Sequence, residues 1–98
     1  MILEVSRVHI LAGKEAEFEN MFYEALDIIS TVKGFLGGYL QRSIDHPEIF
    51  YMMVKWQTLE NHLVDFPASP EAARVMPLVL PFFDGLPKAD HVVRIERS

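Results

Sequence analysis

Apolar residues follow two different periods along the chain, and the changes of period mark its elements. Residues 2–11 are rich in Ile, Leu and Val and hold no Gly or Pro, the composition of a strand, which the turn Ala12-Gly13-Lys14 ends. From Glu15 the spacing lengthens. Phe18, Met21, Phe22, Ala25, Leu26, Ile29 and Val32 recur at steps of three and four, while Glu17, Glu24 and Asp27 lie mostly on the other side, as an amphipathic helix requires. Acids in its first turn and Lys33 before Gly34 suit the helix dipole and a glycine stop.

Residues 35–43 and 49–56 read as two strands joined around Asp45-His46-Pro47-Glu48, a hairpin composition. Thr58 caps a short helix running through His62 and Leu63 that Pro67 stops. Ser69-Pro70 opens another, with Ser at the N-cap and Pro at the first helical position. Pro77 and Pro81 are expected to break its continuation into turns, and residues 90–96, with Val92, Val93 and Ile95, supply a last strand. The order is βαββαβ. It predicts one α+β domain over residues 1–98, ferredoxin-like, with a four-stranded antiparallel sheet and helices on one face. Side chains alternate along a strand, so Phe50, Met52, Val54 and Trp56 face one way and Ile49, Tyr51 and Met53 the other. Both faces are apolar. The helices of a small domain cover one of them, so a second copy packed sheet to sheet is the economical partner for the other.

Composition narrows the possible partners. Half of the 98 residues are hydrophobic, enough for one core and too few residues for two. A net charge of -5 leaves no basic stripe for phosphates, so neither nucleic acid nor an anionic membrane is an expected partner. With no Cys there are no disulfides, thiolate nucleophiles or Cys-type metal sites. The first residues lack a basic segment followed by an apolar one, and no run reaches the roughly 20 residues of a membrane span, so a soluble, cytoplasmic protein is expected.

The candidate chemistry is sparse. Gly34-Phe35-Leu36-Gly37-Gly38 leads from helix to strand, whereas phosphate cradles lead from strand to helix, so the glycines read as a helix stop with a bulge or close backbone approach. His9, His46, His62 and His91 are scattered and show no paired metal spacing, so no metal site is expected. No nucleophile elbow is present. His62, just after Trp56, is placed to face either a pocket between helix and sheet or the surface. The aromatic and Met residues suit a flat apolar cavity as well as a core.

The whole chain resembles the antibiotic-biosynthesis-monooxygenase family. The resemblance rests on Ala12-Gly13-Lys14-Glu15-Ala16-Glu17-Phe18, Gly34-Phe35-Leu36-Gly37-Gly38, Ile44-Asp45-His46-Pro47-Glu48, Trp56-Gln57-Thr58-Leu59-Glu60-Asn61-His62 and Ala68-Ser69-Pro70-Glu71, in that order and spacing. It implies a homodimeric α+β barrel with one pocket per subunit between helices and sheet. Some such proteins oxygenate phenols or quinols with dioxygen and no metal, haem or flavin. A haem-degrading branch uses an Asn in the first strand and a Trp and His on later helices; by register these fall at Ser6, Phe66 and Met76, so that triad is missing.

The expectation is therefore a cofactor-independent monooxygenase acting on a small aromatic, phenolic or quinol substrate. His62 is the candidate base or orienting group and Ser6 the hydrogen-bond donor. Phe22, Tyr51, Trp56, Phe66 and Met76 are the candidate pocket residues, with Tyr51 or Arg42 also able to stabilise an anion. An isomerase that does not use oxygen, and a ligand-binding or interaction module on the same fold, are the alternatives.

Overall fold

The computed structural model describes residues 1–98 and has the elements β1 (Ile2–His9), α1 (Glu15–Ile29), β2 (Phe35–Arg42), β3 (Ile49–Trp56), α2 (Pro70–Val79) and β4 (Lys88–Val92). A π-helical segment, Asn61–Asp65, lies between β3 and α2, and a 3-10 turn, Leu80–Phe82, follows α2. The strands form one antiparallel sheet in the order β2-β3-β1-β4, so β3 is inserted between β1 and β2, the split βαβ arrangement of ferredoxin-like folds. No helix is long and apolar enough to cross a membrane.

The register sorts the two sheet faces. Ile2, Glu4, Ser6 and Val8 of β1 pair with Trp56, Val54, Met52 and Phe50 of β3, and this set faces the helices. Phe18 of α1 is fully buried against it, its ring edge-on to Phe50 at 5.3 Å and close to Phe82 and Phe83. The periodic residues Phe22, Ala25, Leu26 and Ile29 are buried on the same helix face, as the sequence pattern predicts.

The helices and the last strand depart from expectation at their ends. The first helix stops at Ile29, short of Lys33 and Gly34: the Ser30 hydroxyl donates to the Asp27 carbonyl at 2.7 Å, and a tight turn from Ile29 to Val32 replaces the next helical bond. Gly34 serves a different need. It has φ +81°, and a Cβ there would overlap the side chain of Asn61. The expected bulge lies between Phe35 and Gly37. Pro77 does not break α2, which continues to Val79. Pro77 and Ala73 are both exposed, so the carbonyl that loses its helical partner can be solvated. Ser69 caps α2 as expected, accepting from the Ala72 amide at 3.2 Å. The last strand pairs with β1 over Lys88–Val92 only, leaving Val93 and Ile95 exposed.

Candidate active site

Between the helices and the sheet lies a cavity of about 240 Å³. Alternation brings Met52, Val54 and Trp56 of β3 to its floor, α1 contributes Phe22, Ala25, Leu26 and Ile29, and α2 contributes Val75, Met76 and Val79. Phe66 closes one side. Of the lining residues only Glu4 and His62 carry ionisable side chains.

Local chemistry fixes His62. The Thr58 hydroxyl accepts from the Asn61 amide at 3.3 Å while the Thr58 amide donates to Asn61 Oδ1 at 2.9 Å, a reciprocal cap on the short helix. Asn61 Nδ2 also donates to Asp65 at 2.9 Å, and the Phe66 amide reaches back to the Asn61 carbonyl, widening this turn into a π-helix. His62 within it stacks on Trp56, with ring centroids 5.5 Å apart and planes at 16°.

A polar cluster is built around Glu4. Its Oε1 accepts from Trp56 Nε1 at 3.0 Å and its Oε2 from the Ser6 hydroxyl at 2.9 Å. His62 Nε2 lies 3.2 Å from Oε1, and His62 Nδ1 lies 2.7 Å from Nε2 of His91, the residue opposite Glu4 across the β1–β4 ladder. The side chains of His62 and Glu4 are only 15% and 14% exposed. Burial pushes the His62 pKa below its ordinary value of 6.5; Glu4 opposes that shift and His91 adds to it, with a net lowering. His62 is therefore neutral at neutral pH. A neutral imidazole that donates from Nε2 toward the carboxylate accepts at Nδ1 from His91.

Most of the residues singled out in the sequence converge here. Phe22, Trp56, Phe66, Met76 and His62 all line the cavity. Ser6 is buried beneath it, and its hydroxyl is engaged by Glu4 rather than offered to a ligand. Tyr51 does not join them, because the alternation that turns Trp56 inward turns Tyr51 to the opposite sheet face, beside Arg7. Arg42 is also elsewhere, its Nε bonded to the Pro47 carbonyl and its guanidinium 5.0 Å over the Phe50 ring. Glu4 and His91 are the functional candidates that sequence reasoning missed. The residues present do not fit haem: Met76 offers a thioether where an axial imidazole is needed, and both His62 nitrogens already face partners.

Comparison with known proteins bears on the whole chain. The family model for antibiotic biosynthesis monooxygenase matches residues 1–77. The uncharacterized protein YczJ of Bacillus subtilis strain 168 is 33% identical over 91 residues, covering 93% of this chain and 96% of that protein. A Bordetella bronchiseptica crystal structure bearing the same family name superposes with a TM-score of 0.93 at 30% identity, covering 97% of both chains. SnoaB, a cofactor-independent oxygenase from Streptomyces nogalater, superposes with a TM-score of 0.79 over 98% of this chain and 94% of its own; at 17% identity that likeness concerns the fold.

Proposed function

From the premise that this chain belongs to the antibiotic biosynthesis monooxygenase family, we propose that it oxygenates a small aromatic, phenolic or quinol substrate with dioxygen and without a cofactor. The observation that carries this reading is the apolar cavity in which one carboxylate, Glu4, is tied to a neutral imidazole, His62. A deprotonated phenol or quinol is electron-rich enough to pass an electron to dioxygen itself. The protein then need supply a proton acceptor, orientation and a dry wall. The atoms balance without a further reductant. In an anthrone the ring CH2 becomes C=O, one oxygen atom enters the product, the other leaves as water, and the substrate supplies all four electrons.

Each cavity residue has a part in this scheme. Phe22, Phe66 and Met76 form the apolar wall, while Trp56 and Ser6 hold the Glu4 carboxylate in place by donating to its two oxygens. His62 orients that carboxylate from the side. The test is oxygen uptake by chelator-treated protein across a panel of naphthols, anthrones and quinols. Uptake above the uncatalysed rate is expected for at least one of them, and Phe66→Ala should raise KM with little change in kcat, because a wall residue holds ground and transition states alike. Uptake at background across the whole panel would refute the oxygenase reading.

We also propose that the working unit is a homodimer. Tyr39 and Val92 remain 36% and 42% exposed on the sheet face opposite the helices, beside Met53 and Leu3, and none of the four belongs to the core cluster. Sheet-to-sheet packing of two copies would cover that face and leave both cavities, on the far side of each sheet, intact.

A further inference from the structure

We propose that Glu4 is the group that takes the substrate's hydroxyl proton, and that the cavity therefore admits neutral hydroxylated aromatics and refuses aromatic carboxylates. This rests on the oxygenase reading for the identity of the substrate, but its geometry is independent of that reading. His62, the more obvious base, has no nitrogen to spare: Nε2 faces Glu4 at 3.2 Å and Nδ1 faces His91 at 2.7 Å. Glu4 is different. Its Oε1 accepts from Trp56 and faces His62, but its Oε2 accepts from Ser6 alone, and a carboxylate oxygen can accept two hydrogen bonds. The free acceptor direction on Oε2 belongs to a residue that lines the cavity.

The step balances within the site. The substrate O–H bond breaks, an O–H bond forms on Oε2, and the electron pair stays on the substrate as a phenolate, the form that reduces dioxygen. Trp56 and Ser6 donate to the carboxylate from the sheet and hold it in one orientation.

Refusal of anions follows from what faces Glu4. The π-helical turn presents His62 and β4 presents His91, while α1 and α2 present only apolar side chains such as Phe22, Leu26, Val75 and Met76. No Lys or Arg lines the cavity. A ligand carboxylate would meet Glu4 with no fixed positive charge between them, whereas a hydroxyl of the same size has a proton to give.

The probes are 2-naphthol and 2-naphthoate, matched in shape and opposite in polar group, titrated calorimetrically into the dimer at neutral pH. Naphthol should bind about a hundredfold or more tightly than naphthoate. Glu4→Gln keeps an acceptor for Trp56 and Ser6 but cannot take the proton. It should bring naphthoate binding to within about tenfold of naphthol and lower kcat for oxygen uptake by about a hundredfold or more. Naphthoate binding the wild-type protein as well as naphthol, no binding of either probe, or a folded Glu4→Gln variant with wild-type kcat would each overturn the assignment. If the variant does not fold, the wild-type comparison still decides. Naphthol selectivity and its narrowing in Glu4→Gln, with no uptake by wild-type protein on any substrate, would uphold Glu4 as the group that admits hydroxyls and refuses anions, and place the failure on the oxygenase reading.

Discussion

His62 shows how one residue can bind site chemistry to stability. Burial, the larger cause, lowers its pKa below 6.5, the neighbouring Glu4 carboxylate works against that shift, and His91 reinforces it. In the unfolded chain the imidazole takes a proton near pH 6.5, whereas the folded chain refuses it until a lower pH. Between the two values the unfolded state binds more protons, so stability falls as the pH is lowered through that window and is not affected by this residue above it. The urea midpoint should therefore drop as the pH is lowered through the unfolded-state value of about 6.5, and His62→Gln should flatten that drop. Equal slopes in variant and wild type would show that another group is responsible. Glu4, the centre of the same cluster, escaped the sequence reading because a single acid in an apolar strand resembles a solvated edge residue, and its partners Trp56, His62 and His91 are remote in the chain. Alternation did hold a signal, since Glu4 stands between Ile2 and Ser6 on the face that Val8 and Ile10 bury.

Elements with a strong local period were legible, and those set by distant contacts were not. The third strand spans Ile49–Trp56 as read, and the first helix face follows its apolar residues, because burial and periodicity agree there. The end of α1, the passage of α2 through Pro77 and the early start of β4 depend on turn bonding, solvent access and pairing with β1, none of which a local pattern encodes. Gly34 joins the two kinds of information. Its sequence context reads as a helix stop, yet its structural role is to let the chain pass the Asn61 side chain in a left-handed conformation. Since Asn61 also holds Thr58 and Asp65, Gly34→Ala should disturb the turn that carries His62. The backbone alone should cost about 1–3 kcal/mol, with the steric overlap added to it. Denaturant unfolding measures the loss; an unchanged midpoint would mean that the Asn61 side chain can move aside freely.

At the scale of the molecule the dimensions are compatible with the proposed dimer. The chain measures 41 × 37 × 19 Å, and 19 Å accommodates one sheet and one layer of helices, with nothing beyond the sheet. On the bare face the register sets Val5 beside Met53 and Met53 beside Tyr39, with Leu3, Tyr51 and Val92 around them. Arg7, Lys55, Lys88 and Asp90 lie on the same face, and the Lys55 ammonium sits 5.9 Å from the centre of the Tyr39 ring, so the apolar centre is bordered by charge. An apolar centre with a charged border is the anatomy of a protein interface, and a two-fold axis would set the same patch of two copies against each other. Light scattering at micromolar concentration should then report twice the 11.3 kDa chain mass. Val5 is the residue with which to test the face, because it is partly exposed in the single chain and pairs with Met53 at the centre. Val5→Glu buries a carboxylate only if two sheets meet, so the variant should sediment as a folded monomer while the single-chain core, on the other side of the sheet, stays intact. A wild-type monomer, or a Val5→Glu variant that remains dimeric, would remove the sheet face as the interface.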